Sequence, residues 1–421
     1  MITMTHLTSI PIRLPWRSAN SSHLSGTGPV GVGRNPCKAS LAQIVTKRIG
    51  VKLNRREFVL GALAVSSVGG IGLTLPRASQ ADAIPSLKTL GTQCGLRIGF
   101  ALHMSHLSWP GYAEFVKANF NLITPESAMK WNALRPKPDQ FSFAASDQLM
   151  DFARRAGMAV HGHNLCWNTG NPDWFKRVLT RQNAEKYLVE HITTVAGRYA
   201  GRMDSWDVVN EPVDLLSNGA NGLSGGPWLD LLGPGYIDIA FHAAVSADPG
   251  ALRILNIHHV EQGDPYSAKA RQATLELIQK LVKRQVPLQA VGLESHLDTA
   301  RTLDVPALTR FVGSIRDLGL EVLLTELDVD DSPTNGDLKT RDEAVARVYR
   351  QYITALVPAA KMKRLIFWSV TDKQNWMNYM RTWHRADGTF DHRPALLDEN
   401  MQPKAAYYSV ISALRQGCQR G

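Results

Sequence analysis

Short apolar runs recur along the chain from residue 84 onward, and longer amphipathic segments separate them. Each run has the length and composition of a buried strand. They cover residues 96–102, 120–124, 158–164, 205–210, 252–257, 289–294, 321–325 and 364–370. Strands that alternate with helices are typical of a parallel sheet wrapped by helices. These units predict an α/β fold, a (β/α)8 TIM barrel that occupies residues 84–421 as a single domain.

Helix signals lie between these runs. The segment 146–155 begins with a capping residue, Ser146, places apolar residues at helical spacing and precedes Gly157, a common helix stop. Segments 183–199 and 265–284 have similar patterns. Segment 214–235 is instead rich in Gly, Asn and Pro. We expect it to form one wall of a cleft, with a solvated insertion as the alternative.

The positive charge of the chain is concentrated at its N-terminus. Residues 1–83 contain ten Lys and Arg against two acidic residues, so this segment accounts for +8 of the net charge of +10. The remaining residues are nearly neutral. A nearly neutral domain gives no electrostatic reason to expect a nucleic-acid partner.

Residues 51–83 resemble a twin-arginine export signal. Arg55 and Arg56 precede an apolar segment, 61–75, and Ala81-Asp82-Ala83 supplies small residues for cleavage. The apolar segment is shorter than the roughly 20 residues that span a bilayer, so we expect no stable membrane anchor. The sequence predicts an exported protein, periplasmic or secreted. Residues 1–50 fit no export signal, and we interpret them as disordered or as a misassigned upstream segment, with Val51 as a candidate initiator.

Three cysteines follow the leader, so at least one has no intramolecular partner. Cys94 and Cys418 lie near the two ends of the barrel sequence, and a closed barrel brings its ends together. A disulfide between them is permitted by an oxidising compartment but is not specified. Cysteine and histidine spacing does not suggest zinc. We expect no metal, no cofactor and a monomer.

Polar residues cluster where the predicted strands end. Asn210 and Glu211 follow one strand, and Glu326 and Asp328 follow another. The other strand ends carry Glu126, Lys130, His161, His163, Trp167, Asn256, His258, Glu294, His296, Trp368 and Trp376. In a barrel these ends meet at one rim, where active sites form. Carboxylates, amides, imidazoles and tryptophans together favour a carbohydrate site, for which Trp228 in the long loop would be a further platform.

Glycoside cleavage needs one protonated carboxyl and one ionised carboxylate. Glu211 and Glu326, on the fourth and seventh strands, are predicted to face each other across the barrel mouth. A separation of about 5 to 5.5 Å between the two carboxyls would indicate a retaining mechanism.

Several ordered motifs from about residue 94 to the end resemble glycoside hydrolase family 10, the endo-β-1,4-xylanases. They are Ile123-Thr124-Pro125-Glu126 with Met129-Lys130-Trp131, Gly162-His163-Asn164-Leu165-Cys166-Trp167, Trp206 to Glu211, Gly292-Leu293 with Ser295-His296-Leu297, Thr325-Glu326-Leu327-Asp328, Phe367-Trp368 with Asp372 and Trp376, and Pro403 to Tyr407. The resemblance implies hydrolysis of internal β-1,4-xylosidic bonds of xylan or xylo-oligosaccharides by double displacement.

The resemblance also implies roles for individual residues. Glu211 would be the general acid/base and Glu326 the nucleophile, with Asn210 bonding the sugar 2-hydroxyl. His296 would hold the nucleophile. The remaining substrate-binding residues would be His163, Lys130, Trp167 and Trp368 in the same subsite, Glu126 at the next sugar, Trp376 as a cap, and Glu294.

The chain departs from the family pattern at several positions. Ser127 replaces the usual Asn, Asn168 a His, His258 a Tyr and Ser369 a Gly. Glu294 replaces the Gln next to the acid/base, and a carboxyl there would couple its titration to that of Glu211, with His258 as a compensating partner. Alternatively, Glu294 turns away into a salt bridge.

Two other classes remain as alternatives. His161, His163, His258, His296 and Asp372 together resemble the ligand set of a metal-dependent amidohydrolase barrel, but its paired histidines end the first strand, and here they end the third. A sugar-binding barrel without turnover is the other alternative, supported by the departures at Ser127, Asn168, His258 and Glu294. The sequence does not distinguish plain xylan from decorated xylan, short oligosaccharides or another β-1,4-glycan.

Overall fold

The computed structural model of this 421-residue chain describes residues 85–418, except 218, 220–221, 374, 381–384, 386–387 and 389–390. The predicted upstream segment, 1–50, and the predicted export signal, 51–83, lie outside the described residues. Among the helices that the structure describes, each is too short or too polar to cross a membrane.

Eight parallel strands close into a barrel, which confirms the predicted fold class. The strands are β1 Arg97–Leu102, β2 Leu122–Pro125, β3 Ala159–Gly162, β4 Ser205–Asn210, β5 Leu252–Ile257, β6 Ala290–Leu293, β7 His296–Asp298, β8 Glu321–Asp330 and β9 Arg364–Phe367. The barrel runs from β1 to β6, then through β8 to β9, and β9 pairs with β1. The remaining strand, β7, pairs only with the outer part of β8. The carboxyl ends therefore meet at one rim.

The β8 strand is longer than the segment 321–325 predicted for it. Its first part pairs with β6, and its outer part pairs with β7, with His296 opposite Asp328. The register towards β9 shifts between Leu324 and Leu327. Because Glu326 and Asp328 interrupt the apolar pattern, the sequence alone ended the strand too early. Both carboxylates lie within the strand.

Helices wrap the barrel: α1 Leu87–Gln93, α2 Tyr112–Asn119, α3 Trp131–Leu134, α4 Ala144–Ala156, α5 Phe175–Val178, α6 Ala184–Arg198, α7 Pro227–Leu232, α8 Tyr236–Ala247, α9 Pro265–Lys283, α10 Val305–Asp317, α11 Leu338–Ala359, α12 Trp376–Met380 and α13 Ala405–Cys418. The predicted helices correspond to α4, α6 and α9. Asp264 caps α9 by accepting from Ser267 N at 2.9 Å, and Pro265 occupies its first turn. Gly157 ends α4 in the left-handed region, with φ 64°.

Close packing between β3 and β4 fixes the strand that delivers Glu211. Trp206 is fully buried, and a Cβ at Gly162 would lie 2.0 Å from its ring. Only glycine fits at position 162, and its missing side chain lets β3 pack directly against the indole of Trp206 in β4. Replacing a buried Trp by a small residue costs about 3 to 5 kcal/mol, which indicates how strongly this contact holds β4 in place.

Cys94, directly after α1, is disulfide-bonded. Cys418, its predicted partner, ends α13, but its side chain lies outside the described residues, so the pairing stays a prediction. Cys166 is a free, fully buried thiol whose pKa is raised by burial.

Candidate active site

Glu326 lies in β8 at the barrel mouth and is 5% exposed. Its carboxylate accepts a hydrogen bond from Asn256 Nδ2 at 2.8 Å and lies 3.4 Å from His296 Nε2 and 3.7 Å from His163 Nδ1. Burial raises the pKa of Glu326, but His163 and His296 outweigh burial and hold it below its usual value. Glu326 is therefore ionised.

Asp328, two residues further along β8, orients the imidazole of His296 beside Glu326. His296 Nδ1 donates to Asp328 Oδ1 at 2.7 Å, and Trp376 Nε1 donates to Oδ2 at 2.6 Å. Burial lowers the pKa of His296, but Asp328 and then Glu326 raise it well above its ordinary value. His296 therefore remains a cation that faces Glu326. His296 and Trp376, both predicted to lie at the site, thus bond the same carboxylate.

A second buried carboxylate, Asp207, organises the other side of Glu326. His161 Nε2 and His163 Nδ1 both lie 2.9 Å from Asp207 Oδ2. His161 Nδ1 also bonds Ser205 Oγ at 2.8 Å. Burial raises the pKa of Asp207, and the two imidazoles bring it below the usual value. Asp207 thus holds His163 against Glu326, while both ring nitrogens of His161 are hydrogen-bonded inside the barrel.

Glu211 follows β4 and has a left-handed backbone, with φ 50°. That conformation is uncommon for a residue with a side chain and costs about 1 to 2 kcal/mol. The Glu211 N–H donates to Asn256 O at 2.9 Å, and its carboxylate accepts from Asn210 Nδ2 at 3.3 Å. His258 Nδ1 lies 3.6 Å from the other carboxylate oxygen. The strained turn aims the Glu211 side chain at the barrel mouth.

Glu294 faces the same space as the two predicted catalytic carboxyls. It is 3% exposed, and Asn256 Nδ2 lies 3.3 Å from its Oε1. A carboxyl oxygen of Glu294 lies within 4.8 Å of Glu211 and His258, and a carboxyl oxygen of Glu294 also lies within 4.8 Å of Glu326 and His296. Burial, and then repulsion from Glu326 and Glu211, raises the pKa of Glu294 well above the usual value. The alternative that Glu294 turns away into a salt bridge is therefore wrong.

Asn256 connects all these groups, and the sequence placed it at the rim without giving it a role. Its Nδ2 donates to Asn210 Oδ1 at 2.7 Å as well as to Glu326, and its Oδ1 accepts from Thr325 Oγ1 at 2.6 Å. Gly292 leaves room for it, because a Cβ there would lie 2.4 Å from Asn256 Oδ1. Gly292 was the feature of the sequence that could have indicated the position of Asn256.

The remaining predicted binding residues form an aromatic and charged wall. Lys130 Nζ lies 5.2 Å from the ring centroid of Trp167 and 5.8 Å from that of Trp368. His163 contacts Trp368 edge to face, with centroids 5.2 Å apart. Further out, Glu126 accepts a hydrogen bond from Tyr379, a half-exposed residue of α12 that the sequence analysis missed. The structure thus brings the predicted site residues to one rim.

Trp228 is not a sugar platform, so that prediction is wrong. It is fully buried in α7, packs against Trp131 and Phe175, and donates to Trp167 O at 3.0 Å. Asn168 bonds Ser224 O and accepts from Trp228 N, so it ties the loop after β3 to the segment before α7. The long loop supports Trp167 from behind.

The metal-dependent alternative does not agree with the contacts of its candidate ligands. His161 and His163 bond Asp207, and Asp372 accepts from Lys404 Nζ at 2.7 Å. A buried cluster of Asp330, Asp331 and His392 also brings candidate ligands together, but Asp331 accepts from Arg341 and Arg385. Asp372 and Asp331 thus pair with Lys and Arg side chains instead.

Comparisons with known proteins agree with the geometry. The family model described as glycosyl hydrolase family 10 matches residues 86–413. A beta-1,4-xylanase of Dictyoglomus thermophilum is 32% identical over 373 residues, covering 85% of this chain and 99% of that protein. Endo-1,4-beta-xylanase B of Thermotoga neapolitana is 28% identical, covering 78% and 92%. The crystal structure of native xylanase 10B from Thermotoga maritima superposes with a TM-score of 0.71 at 30% identity, covering 80% and 100%. Xylanase 10B from Thermotoga petrophila RKU-1, solved with xylobiose, gives 0.71 at 29% identity, covering 79% and 98%.

Proposed function

Because the chain belongs to glycosyl hydrolase family 10, we propose that it is a retaining endo-β-1,4-xylanase that cleaves internal bonds of xylan or xylo-oligosaccharides. The observation that supports this most strongly is the pair Glu211 and Glu326, whose surroundings differ. Glu326 lies beside the imidazoles of His163 and His296, which hold its pKa below the usual value, whereas Glu211 has Glu294 as a close neighbour. Two carboxyls in different environments are what glycoside cleavage requires.

In the first step, Glu326 attacks the anomeric carbon while Glu211 gives its proton to the glycosidic oxygen. The carbon–oxygen bond breaks, the leaving sugar departs as an alcohol, and a glycosyl ester forms on Glu326. In the second step, ionised Glu211 removes a proton from water, the water oxygen attacks the same carbon, and Glu326 leaves as a carboxylate. Each of the two steps inverts the anomeric carbon, so the product keeps the β configuration.

The neighbouring residues assist each step. Protonated His296 stabilises the Glu326 carboxylate in the free enzyme and again when it leaves the ester. Asn256 holds Asn210 and Glu326 in one orientation, so a sugar hydroxyl near Asn210 is fixed relative to the nucleophile. Trp167 and Trp368, with Lys130 above them, offer flat faces and a cation to the same sugar.

Reducing-sugar release from xylan tests the proposal. We expect Glu326→Ala to lose at least about 10³-fold in kcat, because the ester can no longer form. Glu321→Ala is the matched control: this residue begins the same strand at the opposite end of the barrel, where it pairs with Lys363 and Arg364. A Glu326→Ala enzyme that hydrolyses xylan within tenfold of the wild type would refute the assignment.

Glu211→Ala distinguishes the two carboxyls. An aryl xylobioside with an activated leaving group needs no proton, so the ester should form and accumulate. Added azide should then release a β-xylobiosyl azide. If azide gives no such product, Glu211 is not the acid/base.

A further inference from the structure

We propose that Glu294 is a positioning residue that shares a proton with Glu211, and that this pair sets the alkaline limit of activity. The inference rests on the proposed function, because it concerns the proton that Glu211 delivers to the leaving sugar. It concerns a position at which this chain has a carboxyl where the family pattern has an amide.

The geometry leaves Glu294 short of hydrogen-bond donors. Among the described residues, its nearest donors are Asn256 Nδ2 at 3.3 Å and His296 Nε2 at 4.0 Å. The Asn256 amide has two hydrogens, and it makes shorter contacts with Asn210 at 2.7 Å and Glu326 at 2.8 Å. His296 is 3.4 Å from Glu326. An ionised Glu294 would therefore be a buried charge with poorly placed partners, which is strongly unfavourable.

The charged groups around Glu294 increase this cost. Glu211 faces it from the end of β4 and Glu326 from β8, both acidic, and Glu261 adds a third carboxyl from the loop after β5. His296 from β7 is the opposing cation, but Asp328 and Glu326 also bind it. His258 lies within 4.8 Å but is directed at Glu211. A proton on Glu294 relieves the repulsion, in agreement with its raised pKa.

Coupling between Glu294 and Glu211 changes how the enzyme loses its proton. Oxygens of the two carboxyls lie within 4.8 Å. At that separation the two ionisations interact by more than about one pH unit, even with an effective dielectric constant near 20. Protons therefore leave the pair in two steps. Between these steps a single proton is divided between the carboxyls, and only enzyme with the proton on Glu211 can cleave the glycoside.

The wild type should consequently show a two-step alkaline limb in kcat/KM. The first step lowers the rate by about half or more, according to the share of the proton on Glu294, and the second abolishes it. Glu294→Gln keeps the shape of the side chain but removes one ionisation. Its alkaline limb should therefore be a single step.

The experiment measures kcat/KM against pH with a neutral xylo-oligosaccharide, whose leaving sugar needs the proton of Glu211, for the wild type, Glu294→Gln and Glu261→Gln. Glu261 is the matched control: its carboxyl is also buried, with a pKa raised by burial, but it accepts from Ser295 N rather than facing Glu211. We expect Glu261→Gln to retain the two-step limb. Superimposable profiles for wild type and Glu294→Gln would overturn the proposal, as would a single-step limb in Glu261→Gln.

A titration that does not depend on turnover separates this inference from the proposed function. In protein labelled with 13C at the Glu carboxyls, the wild type should show one carboxyl with a two-step curve well above the usual range, absent in Glu294→Gln and present in Glu261→Gln. A wild type that lacks such a curve refutes the inference even if Glu294→Gln does not fold. A wild type that has the curve but cleaves no β-1,4-glycan refutes the proposed function and leaves the proton-sharing pair intact.

Discussion

Asp328→Asn tests how the site keeps Glu326 ionised. Asp328 accepts hydrogen bonds from His296 Nδ1 and Trp376 Nε1, at 2.7 and 2.6 Å. An asparagine has one acceptor oxygen and an NH2 group, so it can satisfy one of these donors and must present hydrogens to the other. The variant therefore loses both a charge-assisted hydrogen bond and the charge that keeps His296 protonated.

The size of the effect follows from these contacts. A hydrogen bond to a charged group contributes about 1.5 to 3 kcal/mol. If the loss falls on the transition state, kcat/KM should decrease by about 10- to 150-fold. The deficit should grow with pH. In the wild type, Asp328 and Glu326 raise the pKa of His296 well above its ordinary value, so the cation persists as pH rises. Without Asp328 the imidazole loses its proton at lower pH.

The assay is kcat/KM on an aryl xylobioside across the pH range, with Asp330→Asn as the matched control. Asp330 lies on the same strand, is also buried and bonds His392 Nδ1 at 3.1 Å, outside the catalytic pair. The control should lose stability without a pH-dependent loss of rate. A ratio of wild-type to Asp328→Asn rates that stays constant with pH, or a loss below threefold, would refute this explanation.

Three further changes have defined outcomes. Gly292→Ala should lower kcat and the melting temperature because its Cβ would displace Asn256. Gly313→Ala in α10, where a Cβ has no neighbour within 4 Å, should instead stabilise the protein by about 0.5 to 1 kcal/mol. Equal melting temperatures for the two variants would contradict this. Trp376→Phe removes the donor to Asp328 and should lower kcat/KM by about tenfold, and an unchanged value would show that this hydrogen bond has no kinetic role. Reduction of the disulfide at Cys94 should cost about 2 to 4 kcal/mol of unfolding free energy without changing kcat at 25 °C, and calorimetry with and without dithiothreitol checks it.

The sequence predicted the barrel and its rim because both depend on local signals. A buried parallel strand is an apolar run, and its functional residues follow directly, so Glu211, His163 and Glu326 were identifiable before their distances were known. The predicted ends were least accurate at β8, where Glu326 and Asp328 are polar yet lie within the strand. There the partner strand β7, and not the hydrophobic pattern, determines the length.

Contacts between distant residues were not predictable in the same way. Trp228 was assigned to the cleft because its segment has a loop composition, but α7 buries it behind Trp167. The orienting role of Asn256 depends on four side chains, which come from β4, from β8 and from the residue directly after β6, and the contact between Tyr379 and Glu126 joins positions far apart in the chain. These arrangements follow from tertiary packing. A single sequence does not show which distant residues contact each other.

The configuration of the first-formed product tests the central claim most directly. If Glu326 forms a glycosyl ester and water then hydrolyses it with Glu211 as the base, the anomeric carbon is inverted twice. Proton NMR during the first minutes of hydrolysis of a xylo-oligosaccharide should therefore show the β-anomer of the new reducing end appearing first, with the α-anomer arising later by mutarotation. Initial appearance of the α-anomer would contradict the assignment of Glu326 as a nucleophile.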